Sequence, residues 1–563
     1  MGKWLGLVLA LMLVFPGGLL AYSGASQEEL LRRIEELSRE IETLKKQLQE
    51  MKEAQEESSE TVEEVADMVE TFKDNMGKFR IWGDIRTRLD STRAYVPKSY
   101  WSYFNGYSYV GKPVYKVVPI IDMDDSGHSQ ATKGHKENDT FWTNRMRINF
   151  KVNPTENVNV KVRLAYYKIW GMVDDYVSTE IFPGMSNNFS FGVRPSDSRL
   201  YVDRAYFNWV NVGGYPIWIS FGRRPTTHGS PQHLREGLDK KEASPSGINI
   251  DIPFDGATIG FQYRWPWPGR IRFCYGRGFE SGFKMPIDRA KDDVDFYGFV
   301  WDVLDDPDRN MMLIVQAFKA EGVMDFPEGT WVMSKIGPMR VTTNNNLGDI
   351  YEIGATWIHK VDIPYLGLEG VDYFVSVGLS ITDPDEIGKM PVYIMNHPMN
   401  GNFTTEMYYT LLGGFSLDNP DNISTDTHTG WAVYVGARIP LPWVPGAKVG
   451  LEYNYGSKWW MPFMVATDDV YINKLATRGH VAEVYWIQDL PAGEALSKYA
   501  RVFLRLGFQY FWFNYSGSGM WLGEPHEINE LDDTVFGMLP AYPQMFMPID
   551  HMYNLYASFE VFF

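Results

Sequence analysis

Two hydrophobic periods divide the chain. From Leu30 the apolar residues recur at alternating intervals of four and three: Leu30, Ile34, Leu37, Ile41, Leu44, Leu48, Met51, Gln55, Ser58, Val62, Val65, Val69, Phe72 and Met76, with only Gln55 and Ser58 polar. A period of about 3.5 predicts an α-helix whose narrow apolar seam packs on a partner helix, a coiled coil. Neither Pro nor Gly interrupts it before Gly77. Alternating Ile and Leu in the first half favours two strands, whereas the Val, Gln and Ser of the second half leave dimer and trimer open.

After Gly77 the period becomes two. Phe79, Ile81, Ile85 and Leu89 alternate with Asp84, Arg86 and Arg88; Met146, Ile148, Phe150 and Val152 alternate with Arg145, Arg147, Asn149 and Lys151. The turn Asn153-Pro154-Thr155-Glu156-Asn157 follows, and then Val158, Val160, Val162 and Leu164 alternate with Asn159, Lys161 and Arg163. Segments of about ten residues with one apolar and one polar face predict barrel strands. Sixteen are legible, near 79–90, 140–152, 158–170, 200–212, 216–223, 255–265, 270–280, 295–304, 310–321, 347–359, 371–382, 429–440, 446–456, 479–488, 499–512 and 551–563. Connections after even-numbered strands are short and those after odd-numbered strands long. A soluble sandwich gives no reason for that asymmetry, but a transmembrane β-barrel does, and it places both barrel ends on the short-turn side.

The first residues read as an address. Lys3, the apolar run Leu5 to Phe15 and the small-residue stretch Ser23-Gly24-Ala25 have the layout of a secretory signal peptide, with cleavage sites after Ala21 or Ala25. The expected organisation is a signal peptide over 1–25, a periplasmic coiled coil over 26–78 and an outer-membrane β-barrel over 79–563.

Composition narrows the function. The chain has 563 residues, a formal charge of −18 and 15% aromatics, and a mean hydropathy of −0.28 argues against repeated transmembrane helices. Acidity without a long basic tract argues against nucleic acid as a partner. Much of the excess acid is remote from the barrel wall, because residues 26–78 carry sixteen acidic against eight basic side chains. The single cysteine, Cys274, excludes an internal disulfide framework.

The last strand sets Tyr553, Leu555, Ala557, Phe559, Val561 and Phe563 on one face and ends on Phe563. Here the chain resembles bacterial outer-membrane porins of the 16-stranded type, and its N-terminus resembles specific porins that carry a periplasmic coiled coil; large uncharacterised porin-type families are similar in the same way. The resemblance implies that Phe559, Val561 and Phe563 form the signal read by the barrel-assembly machinery. It also implies that the third long loop folds inward as a constriction. That loop carries Arg224, His228, His233, Arg235, Glu236, Asp239, Lys240, Lys241 and Glu242.

The polar phase of the first five strands holds Arg86, Arg88, Arg145, Arg147, Lys151, Lys161, Arg163, Arg204 and Arg223. On a lipid face each would cost about 2–4 kcal/mol at the midplane, so they are expected inside, as a pore-lining basic strip. The function expected is a water-filled channel for small hydrophilic solutes or ions with a mild anion preference. The coiled coil would oligomerise the chain or reach towards peptidoglycan, since about 50 helical residues rise roughly 75 Å. The partners expected are outer-membrane lipids, the assembly machinery, further copies of the chain and the cell-wall polymer. A structural tether with a plugged barrel is the alternative, and an outer-membrane enzyme a lesser one.

No catalytic residues are nominated, because the sequence holds no nucleophile elbow, phosphate-cradling glycine loop or H-E-x-x-H. No cofactor or metal is expected. Asp122-x-Asp124-x-Ser126-Gly127 copies half of a calcium loop, but its twelfth position is Lys133 rather than Glu. His228 and His233 lack a third ligand at a suitable spacing.

Overall fold

The computed structural model describes residues 78–563 except 101–121, 124–128, 172–194, 196–197, 244, 284–291, 307–310, 326–330, 335–336, 341–344, 398–400, 418, 465–467, 470–471, 494–496, 498, 536–538, 543 and 545–546, and describes some residues within 32–47. The chain divides into two units, Met1–Gly77 and Lys78–Phe563. In the first, the residues described within 32–47 are helical, and the seam side chains Ile41 and Leu44 are 55% and 60% exposed. The other twelve seam positions and the expected signal peptide lie outside the described residues.

The second unit is a closed antiparallel barrel of sixteen strands. In chain order they are β1 (Phe79–Ser99), β2 (Thr132–Val152), β3 (Val158–Ile169), β4 (Tyr201–Val210), β5 (Ile217–Arg224), β6 (Phe254–Tyr263), β7 (Gly269–Phe279), β8 (Val294–Asp306), β9 (Met311–Glu321), β10 (Gly348–Ile363), β11 (Leu368–Pro384), β12 (His428–Pro440), β13 (Ala447–Gly456), β14 (Gly479–Asp489), β15 (Arg501–Phe513) and β16 (His551–Phe562). Each pairs with its sequence neighbours, and β16 closes on β1 from Asp84↔Phe562 to Tyr95↔His551. All sixteen expected strands are present.

The period-two pattern sets the two faces. On β15, Phe503, Arg505, Gln509 and Phe511 are buried inward while Leu506 and Trp512 are 51% and 58% exposed. The same alternation leaves Ile81, Ile259, Phe273, Val377, Leu451 and Leu555 on the outside. With no sheet edge and an apolar outer band, this is a membrane-spanning barrel. Trp209, Trp265, Trp267 and Trp443 are exposed at the short-turn end, where an aromatic girdle belongs. Trp218, also near a short turn, turns inward instead over Gly260, where an added Cβ would lie 2.5 Å from its ring.

The chain end closes the ring. The Phe563 N–H donates to the Gly83 carbonyl and the Gly83 N–H to Phe563, at 3.0 and 2.9 Å. A Cβ on Gly83 would lie 2.5 Å from the Arg147 carbonyl oxygen and 2.7 Å from the Phe563 ring. Gly83→Val is therefore expected to destabilise the barrel by roughly 1–3 kcal/mol, the range for overpacking. Loss of heat-modifiable gel mobility at a lower temperature than wild type checks this.

Candidate functional site: a lumen entered by two loops

The barrel's charged inner wall is met by two long loops that enter the lumen: the third, residues 225–253, and the seventh, residues 457–478. They join in a short parallel pairing, Phe463↔Ile250 and Met464↔Asp251. Apolar side chains seat them. Leu234, Ile248, Trp460, Met464, Leu475 and Ala476 from the loops pack with Ile358, Phe374, Ala432 and Tyr434 of the wall. Trp460 is fully enclosed, and its indole N–H donates to the Leu475 carbonyl at 2.7 Å. The wall makes room for it with glycine, since a Cβ on Gly378 would come within 2.6 Å of the indole.

Asp468 of the seventh loop is the centre of the charge pattern. Its carboxylate accepts from Arg86 and from Arg505 at 2.9 Å, with Arg235, Arg88 and Arg145 at 3.5, 3.6 and 3.9 Å. Arg88 also donates to its backbone carbonyl at 2.8 Å. Glu242 of the third loop plays the matching part, taking Arg163, Arg147 and Arg204 at 2.8, 3.3 and 3.4 Å. Burial alone would raise these two carboxyls; for Glu242 the guanidiniums of Arg147, Arg163 and Arg204, and for Asp468 those of Arg505, Arg86 and Arg235, hold them well below the ordinary carboxylate range.

A second knot lies beside the first. Arg235 pairs with Asp469 at 2.8 Å and Glu483 at 3.1 Å. Lys474 pairs with Glu483 at 2.5 Å and with Glu452. Further round the wall Arg438 binds Asp239 at 2.6 Å and Asp372 at 2.7 Å, and Lys241 approaches Asp302 and Asp305 at 3.5 and 3.6 Å.

The expected basic strip is thus inward but not bare. Arg86, Arg88, Arg145, Arg147 and Arg163 are at most 3% exposed, because the loops cover them with Asp468 and Glu242 while Asp90 and Asp84 of the wall hold Arg88 and Arg147 at 2.7 Å and Glu560 approaches Arg505 at 3.3 Å. A bulge between Arg163 and Leu164 in the β3–β4 register turns both Asp203 and Arg204 inward, and Asp203 takes Arg163 at 2.6 Å. Lys151 and Lys161 stand directly opposite each other, next to Arg80 in register. Among the described residues these three have no ion pair, so a cationic row survives at the short-turn mouth.

Arg223 is a correction. It shares the outward phase with Phe221, which is 48% exposed, and pairs at the outer rim with Asp255 at 2.7 Å. Polarity failed to mark the inside there because the outward face itself turns polar above the apolar band. Arg224 is corrected too: it ends β5 rather than opening the loop.

Of the other expected loop residues, Lys240 is exposed. His228 is tied to Glu236 at 2.7 Å; against its own burial, Glu236 is held down at about 2 by that ring. His233 is buried, and burial with Arg438 and Lys241 nearby drops it to about 3, so its ring is neutral at pH 7. Among the described residues no cluster of three His, Cys, Asp or Glu is placed to hold a metal ion. Asp124, Ser126 and Gly127 of the calcium-like motif lie outside the described residues. Asp468, Asp469, Lys474 and Trp460 were not legible as site residues, since nothing local distinguishes the seventh loop from an ordinary outer one; Glu483 lies on β14, beyond the strands whose polar phase was read.

These features define a membrane-spanning β-barrel with a charged, loop-filled lumen. The chain belongs to the family described as "Protein of unknown function (DUF3373)", whose model matches residues 135–563. No curated protein sequence matches it. Among solved structures it is similar to OmpT, an outer membrane protein of Vibrio cholerae, at 10% identity and a TM-score of 0.36, covering 86% of this chain and 99% of that one. It is similar to the anion-selective porin from Comamonas acidovorans at the same identity, score and coverage. The outer membrane channel DcaP of Acinetobacter baumannii matches at 11% identity and a TM-score of 0.33, covering 86% of this chain and 96% of that one. At such scores the fold rests on this chain's own strand pairing.

Because both central carboxyls are depressed in the folded state, the stability they contribute is present above the ordinary carboxylate range and is lost as pH falls through their folded values. Thermal stability is expected to hold from pH 7 to about pH 5 and to fall steeply only below about pH 4. Asp468→Asn should flatten that acid fall and cost about 3–5 kcal/mol at pH 7, since it leaves Arg86 buried without an ion pair and takes one carboxylate each from Arg88, Arg235 and Arg505. Melting temperatures of both proteins across this pH range check the pair.

Proposed function

We propose that the chain is an outer-membrane channel for small hydrophilic solutes, closed at rest by its third and seventh loops. One observation carries the reading: the third and seventh loops set Glu242, Asp239 and Asp468 against wall arginines that the wall's own Asp84, Asp90, Asp203, Asp372 and Glu560 neutralise only in part. A barrel of this size encloses a lumen wide enough for solutes once such loops leave. Withdrawal of Glu242 and Asp468 would free Arg86 and Arg204 of their ion pairs and uncover Arg88, Arg145, Arg147 and Arg163, which keep Asp90, Asp84 and Asp203, continuous with Lys151 and Lys161 at the inner mouth. That wall supports a preference for anions in the open state. The helical N-terminus is assigned the coiled-coil role of oligomerising the chain or tethering it to the cell-wall polymer, with outer-membrane lipids and the barrel-assembly machinery as the barrel's partners.

Planar-bilayer recording tests the channel. Wild type is expected to show rare openings, and Trp460→Ala or an Asp468→Asn/Glu242→Gln double variant frequent ones. Across a KCl gradient the open-state reversal potential should favour chloride. Persistent silence of folded variants would instead favour a plugged structural barrel, and cation preference would remove the assignment of the arginines. Deleting residues 26–76 separates the roles: conductance is expected to survive while oligomerisation or envelope attachment is lost.

A further inference from the structure

The wall is recessed by glycine at two places, and the seventh loop fills only one of them. At Gly378, Gly430 and Gly456 an added Cβ would strike Trp459, Trp460 or Thr477 at 2.2–2.6 Å, so the seventh loop occupies that side. Elsewhere on the wall Gly256 of β6 and Gly276 of β7 stand directly paired, and a Cβ on Gly256 would strike the Tyr275 carbonyl oxygen at 2.0 Å. The nearest atoms to a Cβ on Gly276 are 3.5–3.7 Å away. A cavity of about 60 Å³ remains there behind the third loop, lined by Ile250, Phe254, Phe296, Val300 and Phe318.

Two arginines also face this largely apolar space, and they differ. Arg272 is held by Asp302 at 2.7 Å. Arg224 has no ion pair among the described residues, and its Nη1 is enclosed with no hydrogen-bond partner. Its guanidinium lies 5.4 Å from the Trp218 ring and 5.9 Å from the Tyr206 ring. Ring contacts leave the charge and the enclosed N–H unmet, which is costly beside apolar walls unless an anion supplies the acceptor.

We propose that this cavity binds a short-chain aliphatic monocarboxylate, with the carboxylate on Arg224 and the carbon chain among Phe254, Phe296 and Phe318. Size sets the chain length. At roughly 10–15 Å³ per water the space holds about four to six waters, which corresponds to propionate or butyrate. An inorganic anion would satisfy Arg224 but leave the apolar wall wet, and a neutral alcohol would do the reverse. Binding here needs no conduction, so it stands or falls independently of the channel reading.

The chain's only cysteine provides a reporter, since Cys274 lines the same cavity. The full-length protein in detergent would be treated with methyl methanethiosulfonate, with and without butyrate, and titrated with butyrate calorimetrically in parallel. Butyrate is expected to bind and to slow Cys274 modification, while butylamine and butanol do neither. Arg224→Gln should weaken butyrate binding about tenfold to a hundredfold, the loss expected for a charge-assisted hydrogen bond. Gly276→Ala, whose methyl fits at ordinary contact distance, should weaken it while leaving folding intact. Absence of butyrate binding to wild type, equal binding to Arg224→Gln, or equal protection by chloride would each overturn the proposal. Should Arg224→Gln fail to fold, undiminished binding to Gly276→Ala overturns it instead.

Discussion

Everything in this barrel follows from closing the strand ladder. A ring of sixteen paired strands satisfies every interstrand backbone group without an edge, which is what a hydrocarbon surrounding demands. Closure also commits alternate side chains to the inside. This chain places Arg, Asp and Glu at those positions on strand after strand, so the ring creates a lumen full of charge that must then be met. Water would meet it in an open pore. Here protein does.

The two loops meet it with apolar packing as well as ion pairs, and the order of these effects matters. Buried ion pairs gain little net stability, because desolvation offsets most of their Coulomb energy. Trp460 in its glycine recess, with Leu234, Ile248 and Met464 around it, gives the seating energy. Asp468 and Glu242 then fix where the loops sit, since removing either leaves one guanidinium, Arg86 or Arg204, buried without a counter-charge. Packing holds the loops, and charge specifies their register.

The barrel was legible in the sequence because each strand carries its own signal. Period two needs only a few residues to declare a face, and the terminal run through Phe563 and the alternating connections supplied the order. The inward direction of Arg86, Arg145 and Arg163 was legible by the same rule. Their partners were not. Asp468 lies 382 residues from Arg86 along the chain, and no local period links a loop aspartate to a strand that distant. Resemblance to porins anticipated an inward third loop. It did not indicate that the seventh would pair with it through Phe463 and Ile250. Arg223 misled because polarity marks the lumen only within the apolar band's height.

The same contacts constrain how such a lumen could open. Asp468 touches guanidiniums from β1, β2, β15 and the third loop, and Arg235 of that loop touches Asp468, Asp469 and Glu483 in return. Moving the third loop alone would strip Arg204 of Glu242; moving the seventh alone would strip Arg86 of Asp468, whereas Arg88 and Arg505 keep Asp90 and Glu560. Each partial state leaves a charge unpaired in a poorly hydrated space, where that is most costly. Withdrawal of both loops together admits water as the charges separate and avoids those intermediates. The network therefore favours two populated states over a graded series, with the paired Phe463–Met464 and Ile250–Asp251 segments moving as one body.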